Sequence, residues 1–255
     1  MTPRRMPSFG RDWAFFLDVD GTLLEFAARP QDVRAVAELV ELLRRLHAAA
    51  GGAVALVSGR SVEDIDRLFA PLAIPVAGQH GTERRAADGS MHRHRPPLEG
   101  LGRAAAQIVR LTAAHAGLVF ENKGMALALH YRQAPGLRAL AEREMRAISA
   151  ELGDAFELQN GRFVVEIKPS GRDKGSAIAE FAAEPPFAGR RPVFIGDDLT
   201  DESAFDFVNR IGGHSVKVGP GITRARWRLF DAAAVRGWLG AYLDQFGPQP
   251  PEARP

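Results

Sequence analysis

The amino-acid sequence predicts an α/β protein with a doubly wound, Rossmann-like parallel sheet and a small α+β unit inserted into it. Two observations predict this fold class. Apolar runs of strand length alternate with helix-like segments towards both ends of the chain, and the middle of the chain follows a different pattern. With 255 residues and 45% hydrophobic content, the chain can bury a core of this size.

Five apolar runs are predicted to form the parallel sheet. The three clearest, "WAFFLDVDG", "GAVALVSGR" and "RPVFIGDD", have strand length and end abruptly in small or polar residues. Two shorter runs, "PVAGQHG" and "HSVKVG", extend the same layer. Such runs are typical of strands that are buried on both faces.

Helix-like segments separate these strands. "RAVAELVELLRRLHAAAGG" follows the first strand and ends in a pair of glycines, which suits a helix C-terminus. "DKGSAIAEFAAE" precedes "RPVFIGDD", and "DAAAVRGWLGAYLDQF" is predicted to be a closing helix. Alternation of strands with helices indicates a doubly wound sheet.

The middle of the chain, from Pro96 to Val165, is predicted to be a separate unit. Two helical stretches are interleaved with alternating strands, and "FELQNGRFVVEIKP" contains an Asn-Gly pair that predicts a hairpin turn at Asn160 and Gly161. The predicted division is a core formed by residues 1–95 and 166–255 and an inserted cap at 96–165.

Composition excludes several classes of protein. The 33 Lys and Arg residues nearly balance the 31 Asp and Glu residues and are spread along the chain, so we expect no nucleic-acid partner. The absence of cysteine excludes disulfides and thiolate metal sites. No signal peptide or membrane-spanning run is evident, and we expect a cytoplasmic monomer without a membrane partner.

Polar side chains follow the predicted strands at the points where the strands end. In open parallel sheets, ligands bind beyond the carboxyl ends of the strands, so these side chains are expected to converge on one site. The residues at such ends are Asp18, Asp20, Ser58, Asp197 and Asp198.

The acidic residues suit phosphoryl chemistry that depends on a divalent cation. Of Asp18 and Asp20, one carboxylate can attack an electrophile such as phosphorus while the other transfers protons. Carboxylates close together need a cation, and hard oxygen ligands suit Mg²⁺. Asp201 adds to the acidic cluster, and Lys174 can balance phosphoryl charge.

Each feature also has a purely structural interpretation. A lone Asp-x-Asp is common in turns, and Asp198 and Asp201 could cap the following helix. Lys174 could be solvated, and Ser58 could be an N-cap. Four such coincidences at the strand ends of one sheet favour chemistry over structure.

The motifs "DVDGTL", a Ser after the second strand, a Lys and "GDD", in this order, resemble those of the haloacid dehalogenase-type phosphohydrolases. The resemblance implies that Asp18 is a nucleophile that forms an aspartyl-phosphate and that Asp20 is the general acid and base. It also implies that Ser58 and Lys174 bind the phosphoryl group. We expect Mg²⁺ to be bound by Asp18, Asp197 and Asp198 and by the backbone carbonyl of Asp20.

A second resemblance concerns the substrate. "SGR", "GQHGTE", "ENKGMALALHYR", "EIKPSGRDKG" and "GDDLTDE" resemble segments of the trehalose-6-phosphate phosphatases, which implies a C2-type cap and release of trehalose as the last step of its synthesis. The substrate-binding residues that this resemblance implies are Arg60, His80, Gly81, Glu121, Lys123, Arg132 and Glu166. Without the resemblance, a set of surface ion pairs on a half-exposed sheet is the favoured interpretation of Glu121, Lys123 and Arg132.

Three other functions fit the same residues. The chain could be a phosphatase of another sugar phosphate, such as sucrose phosphate or a mannosyl-phosphoglycerate, or a phosphomutase. It could also be a non-catalytic sugar-phosphate sensor, although all the side chains that the chemistry needs are present.

Overall fold

The fold is described from a computed structural model that covers residues 5–25, 36–94, 98–161 and 163–247. The prediction of a doubly wound parallel sheet with an added α+β unit is confirmed. The seven helices of the described residues are α1 Ala37–Ala49, α2 Val62–Phe69, α3 Leu101–Ala114, α4 Arg138–Leu152, α5 Lys174–Ala182, α6 Glu202–Arg210 and α7 Ala232–Phe246.

The described residues contain twelve strands in two sheets. An eight-stranded sheet has the order β12-β11-β10-β1-β2-β3-β4-β5, and a four-stranded sheet has the order β6-β7-β9-β8. The strands are β1 Trp13–Leu17, β2 Val54–Val57, β3 Val76–Gly78, β4 Glu83–Arg85, β5 Met91–Arg93, β6 Val119–Asn122, β7 Leu127–His130, β8 Phe156–Gly161, β9 Val164–Pro169, β10 Arg191–Gly196, β11 His214–Val218 and β12 Trp227–Leu229.

Contacts along the backbone divide the chain into two compact units. Among the described residues, the first unit runs up to His92, from Lys174 to Asp197 and from Asp201 onward. The second unit comprises Arg93–Asp173 and the short segment Asp198–Thr200. The predicted start of the cap, Pro96, lies outside the described residues, and β9 continues past the predicted end at 165. The division at 96–165 therefore stays a prediction.

The large sheet of the first unit is buried on both faces because its central strands are apolar throughout. In β1, Trp13, Phe15 and Leu17 face a cluster that includes side chains of α1, α2 and α7. Ala14 and Phe16 face the opposite cluster, which includes side chains of α5 and α6. The six neighbouring strands β12, β11, β10, β1, β2 and β3 all pair in parallel. The carboxyl ends of β1, β2, β3 and β10 therefore lie along one edge of the sheet.

The small sheet of the second unit has one apolar face. Leu127, Leu129, Val165 and Ile167 pack with side chains of α3 and α4 in a separate core cluster. Because side chains alternate along a strand, the intervening residues of β7 and β9 lie on the other face.

The hairpin between β8 and β9 differs from the prediction of a turn at Asn160 and Gly161. Both residues belong to β8, and Gly161 pairs with Val164, so the chain reverses after Gly161. Phe163 adopts φ 62°. The apolar pattern explains the register, because the observed pairing places Leu158 opposite Ile167 on the face that packs on the helices.

No helix among the described residues has the length and apolar character needed to cross a membrane. The cytoplasmic location stays a prediction.

His214 at the start of β11 provides a test of the core. Its ring packs between Trp13 and Trp227, with centroid distances of 5.0 and 4.9 Å, and its Nδ1 has no hydrogen-bond partner among the described residues. Burial, followed by the charge of Arg191, lowers the pKa of His214 below its ordinary value. The unfolded chain therefore binds the proton more readily, and this site loses stability as the pH falls through about 6.5.

We predict that His214→Phe weakens the acid destabilisation of the protein, because a ring without a titrating nitrogen fills the same space. The measurement is the free energy of unfolding in urea at several pH values from about 8 to 5.5, where histidine titrates. The loss of stability across this range should be smaller in the variant than in the wild type. Equal losses in both proteins would show that His214 does not titrate as its burial implies.

Candidate active site

Asp18 lies at the carboxyl end of β1, where the chain leaves the sheet. Its backbone N–H still donates to Ile195 of the neighbouring strand at 3.0 Å, so the sheet fixes its position. Its side chain is buried, and Oδ2 accepts a hydrogen bond from the Thr22 hydroxyl at 3.1 Å. The turn that follows needs Gly21, whose φ is 84°, a left-handed conformation that glycine adopts without strain.

A buried lysine connects Asp18 to a second carboxylate. Nζ of Lys174, the first residue of α5, lies 2.6 Å from Asp18 Oδ1 and 2.6 Å from Asp201 Oδ1. All three side chains are almost completely buried. With Asp197, they form a site of three carboxylates and one ammonium group, which leaves an excess of negative charge when all are ionised.

The environment changes the pKa of both Asp18 and Lys174. Burial raises the pKa of Asp18 to about 7, and the charge of Asp201 adds to this effect against the opposing charge of Lys174. Burial also opposes the charge on Lys174, but Asp18 and Asp201 outweigh it and raise the pKa of Lys174 above its ordinary value. Lys174 therefore stays protonated at neutral pH.

Three carboxylates form a candidate metal centre. Asp18, Asp197 and Asp201 each offer one oxygen atom, and these atoms lie within 4.8 Å of one another. Oxygen donors of this kind suit a hard divalent cation. A divalent ion would also offset the excess negative charge, so the residues present fit such a metal.

Close backbone packing brings Asp201 into this cluster. Asp201 Oδ2 accepts a hydrogen bond from the backbone N–H of Asp197 at 2.7 Å. A Cβ on Gly196 would lie 2.5 Å from the Asp201 carboxylate, so only glycine fits at the end of β10. The sequence predicts Asp201 in the acidic cluster and Asp198 among the metal ligands, and it leaves open which of the two contacts the metal directly; Asp201 is the one that lies with Asp18 and Asp197.

The remaining two expected metal ligands have other neighbours. Asp20 accepts two hydrogen bonds from the Arg60 guanidinium, from Nε at 2.6 Å and from Nη2 at 2.7 Å. Asp198 belongs to the second unit, where its Oδ1 accepts a hydrogen bond from the N–H of Leu199 at 2.8 Å. Metal binding by Asp20 and Asp198 stays a prediction.

The end of β2 is held in place by a strained turn after β3. Ser58 is buried, and its Oγ accepts a hydrogen bond from the N–H of Arg60 at 3.1 Å. His80 donates its N–H to the Ser58 carbonyl at 3.0 Å. Gln79 and His80 both have positive φ, 47° and 55°, which costs energy in residues other than glycine.

Glycine at position 59 makes this arrangement possible. A Cβ there would lie 2.7 Å from Nε2 of His80, so the buried imidazole occupies the space that a side chain would need. Gly81 follows in the same buried turn. The structure therefore brings His80 against the loop that carries Ser58 and Arg60, while substrate binding by His80, Gly81 and Arg60 stays a prediction.

The second unit carries a polar group of residues on the face of its sheet opposite α3 and α4. Lys123 Nζ lies 2.9 Å from Glu166 Oε2, and His130 Nε2 lies 2.8 Å from Glu121 Oε2. Burial opposes ionisation of Glu121, but its hydrogen bond to His130 and the charge of Lys123 outweigh this and lower its pKa. Arg132 has a different neighbour, the ring of Phe163, at 5.7 Å from the centroid.

Sequence reasoning missed two residues of these groups. It did not identify His130 as the partner of Glu121. It also passed over Lys217, a buried lysine whose Nζ donates to the backbone carbonyl of Asp197. A charged residue inside the apolar run "HSVKV" was the available signal for Lys217.

The doubly wound sheet places a buried aspartate, a lysine and an acidic cluster at its carboxyl edge. Its fold is similar to that of a phosphatase of the haloalkanoate superfamily from Bacteroides thetaiotaomicron, with a TM-score of 0.61 at 16% identity over 94% of this chain and 98% of that one. The family profile described as trehalose-phosphatase matches residues 16–226. The chain belongs to this family, and it is a phosphoric monoester hydrolase.

Individual relatives support this assignment. The chain is 45% identical over 237 residues to trehalose-6-phosphate phosphatase of Escherichia coli K12, covering 91% of this chain and 87% of the relative. It is 43% identical over 232 residues to a probable trehalose-phosphate phosphatase of Sinorhizobium fredii, covering 90% and 87% of the two chains. A crystal structure of a trehalose-6-phosphate phosphatase related protein superposes with a TM-score of 0.76 at 28% identity, covering 89% of this chain and 96% of that one.

We predict that Lys174→Met destabilises the metal-free protein by about 3–5 kcal/mol, because it leaves two buried carboxylates without their cation. The measurement is urea unfolding at pH 8 in a chelator. Arg67→Met, which removes an exposed ion pair on α2, is the control and should cost less than about 1 kcal/mol.

A loss of less than about 1 kcal/mol for Lys174→Met would contradict the view that Lys174 compensates the buried carboxylates. Asp18→Asn, which removes negative charge from the same site, should cost less than Lys174→Met.

Proposed function

We propose that the protein is a Mg²⁺-dependent phosphatase that hydrolyses trehalose 6-phosphate to trehalose and phosphate through an aspartyl-phosphate on Asp18. This reaction is the last step of trehalose synthesis. The observation that carries the proposal is the buried Asp18 carboxylate at the end of β1, held by Lys174 beside Asp197 and Asp201. The choice of trehalose 6-phosphate as the substrate rests on the names of the relatives.

Asp18 is the nucleophile in this proposal. Its carboxylate oxygen forms a bond to phosphorus as the bond between phosphorus and the sugar oxygen breaks. The leaving oxygen needs a proton, which Asp20 donates. Asp20 then takes a proton from water, the water oxygen attacks phosphorus, and the bond to Asp18 breaks to release phosphate.

Arg60 orients Asp20 for the step in which its carboxylate takes a proton from water, and at least one of the two hydrogen bonds must open for Asp20 to carry the proton that it donates to the leaving oxygen. A bidentate guanidinium pair fixes both oxygens of the carboxylate and so restricts its rotation. The Asp20 side chain remains 29% exposed, which leaves it open to a leaving group or to water. Arg60 would thus act through Asp20 in addition to any contact with the substrate.

Charge at the site is balanced by Lys174 and the metal. The residues that would hold Mg²⁺ are Asp18 and Asp197, with Asp201 beside them and the predicted contributions of Asp20 and Asp198. When bound, Mg²⁺ neutralises the negative charge that the phosphoryl oxygens bring to the carboxylates. Lys174 and Ser58 would donate hydrogen bonds to the phosphoryl oxygens.

The second unit would recognise the sugar, as the predicted cap at 96–165 implies. Glu121 and Glu166 lie on the sheet face opposite α3 and α4, with Lys123 bonded to Glu166, and these groups can donate to or accept from several hydroxyls at once. Arg132 of the same unit, and His80 and Gly81 of the first unit, are also proposed to contact the substrate. A site built from polar groups rejects ligands that leave them without hydrogen bonds, which provides specificity for one sugar.

The test of this function is phosphate release from a set of phosphate esters with Mg²⁺ and with a chelator. We predict that trehalose 6-phosphate is hydrolysed far better than glucose 6-phosphate, sucrose 6-phosphate or an aryl phosphate, and only with the metal. Hydrolysis of all four esters at similar rates would support phosphatase activity and contradict specificity for trehalose 6-phosphate. Binding of trehalose 6-phosphate without turnover at saturating Mg²⁺ would indicate a sensor.

Lys123 provides a test of sugar recognition. We predict that Lys123→Met lowers kcat/KM for trehalose 6-phosphate by roughly 10- to 100-fold, since it removes charged hydrogen bonds to hydroxyls and leaves Glu166 without this partner. Hydrolysis of the aryl phosphate should change by less than about twofold, within the scatter of a surface substitution.

The matched control is Arg138→Met, which removes a basic side chain from an exposed ion pair on α4. It should leave both substrates unchanged. An equal loss on both substrates in Lys123→Met would argue that Lys123 supports the fold and does not read the sugar.

A further inference from the structure

Lys217 is a buried basic residue to which the proposed reaction gives no role. It lies on β11, directly opposite Gly196, the last residue of β10. Its side chain is almost completely buried, and among the described residues its ammonium group donates to two backbone carbonyls, those of Asp197 and Val218, and forms no ion pair. Burial of a charge without an opposite charge costs free energy, so lysine is rare in such positions. Packing alone therefore does not explain Lys217.

Both backbone polar groups of Asp197 are held by charged side chains. Its N–H donates to Asp201 Oδ2 at 2.7 Å, and its carbonyl accepts the hydrogen bond from Lys217. The N–H and the carbonyl belong to the two peptide planes that flank the Cα of Asp197, and each residue has only two soft backbone dihedrals. Holding both groups therefore fixes the direction in which the Asp197 side chain leaves the backbone.

Asp197 needs this support because it lies just beyond the end of a strand. β10 ends at Gly196, and the Asp197 side chain is only partly buried. Even so, one of its carboxylate oxygens lies within 4.8 Å of oxygens of Asp18 and Asp201 in the candidate metal centre. Lys217 comes from the next strand of the same sheet, so it connects this residue to a rigid element.

We propose that Lys217 is a positioning residue of the metal centre, which acts through the Asp197 carbonyl to aim the Asp197 carboxylate at the divalent ion. This inference rests on the proposed function, because it takes Asp197 as a ligand of Mg²⁺. Replacement of a residue that orients a metal ligand lowers metal affinity by roughly 10- to 100-fold. An ammonium group near a cation also repels it, so loss of the charge alone would raise the affinity. The two effects of Lys217 have opposite signs.

The test is the binding of Mg²⁺ alone to the metal-free protein, without substrate. The rise of the melting temperature with Mg²⁺ concentration reports the affinity, because a ligand that binds the folded state stabilises it. We expect Lys217→Met to need roughly tenfold more Mg²⁺ for the same rise, since methionine fills the space and cannot hold the Asp197 carbonyl. Unchanged or tighter binding in Lys217→Met would overturn the inference.

The matched control is Arg228→Met. Arg228 lies on β12 directly opposite Lys217, and its exposed side chain donates to the backbone carbonyls of Gly219 and Gly221. The control removes one positive charge from the neighbouring strand and leaves the support of Asp197 in place. It should not weaken Mg²⁺ binding. An equal weakening in both variants would overturn the role of Lys217.

A second variant tests the ammonium group directly. The chain contains no cysteine, so Lys217→Cys introduces a single thiol. In denaturant, its thiolate displaces bromide from 2-bromoethylamine and forms a lysine analogue with a sulfur atom in the side chain. After refolding, the alkylated protein should recover most of the Mg²⁺ affinity that unalkylated Lys217→Cys lacks.

Three further outcomes are decisive. Equal Mg²⁺ affinities before and after alkylation would overturn the inference. Failure of both Lys217→Met and Lys217→Cys to fold in a chelator would also overturn it, because Lys217 would then support the sheet itself. A wild-type protein that Mg²⁺ does not stabilise would instead overturn the Mg²⁺ dependence of the proposed function, and this inference with it.

Discussion

The buried ammonium group of Lys174 between Asp18 and Asp201 is the interaction on which the rest of the site depends. Each of the three residues comes from a different part of the chain: the end of β1, the start of α5, and the turn before α6. A buried charge needs a partner at hydrogen-bond distance, so the three segments must meet within a narrow tolerance. The parallel sheet provides this precision, because β1 pairs with β10 along the whole length of β1.

The same constraint explains the small residues around the site. Gly196 must lack a side chain so that Asp201 can lie against the end of β10, and Gly59 must lack one so that His80 can support the Ser58 loop. The excess of carboxylates over lysine leaves the site short of positive charge. A divalent metal would offset that imbalance, and a phosphoryl group, which adds negative charge, would increase the need for it.

The sequence predicted local features well and pairings between distant residues poorly. The apolar runs that became β1, β2 and β10 were evident, as was the convergence of acids at their ends, since both follow from the period of the strands. The partner of Asp20 was not evident, because its contact with Arg60 depends on the placement of β2 beside β1. The prediction of a turn at Asn160 and Gly161 was wrong for a similar reason. Burial of Leu158 and Ile167 fixes the register of β8 and β9, and the local turn preference did not indicate this register.

The central claim is that Asp18 is the nucleophile, and direct trapping of its phosphorylated form tests it most sharply. The enzyme would be mixed with trehalose 6-phosphate and Mg²⁺, quenched in acid within one turnover, and its peptides analysed by mass spectrometry, with Asp18→Asn as the control. The account predicts one added phosphoryl group on the Asp18 carboxylate in the wild type and none in the variant. Phosphate release by a wild-type enzyme that never carries this group, or full turnover by Asp18→Asn, would contradict it.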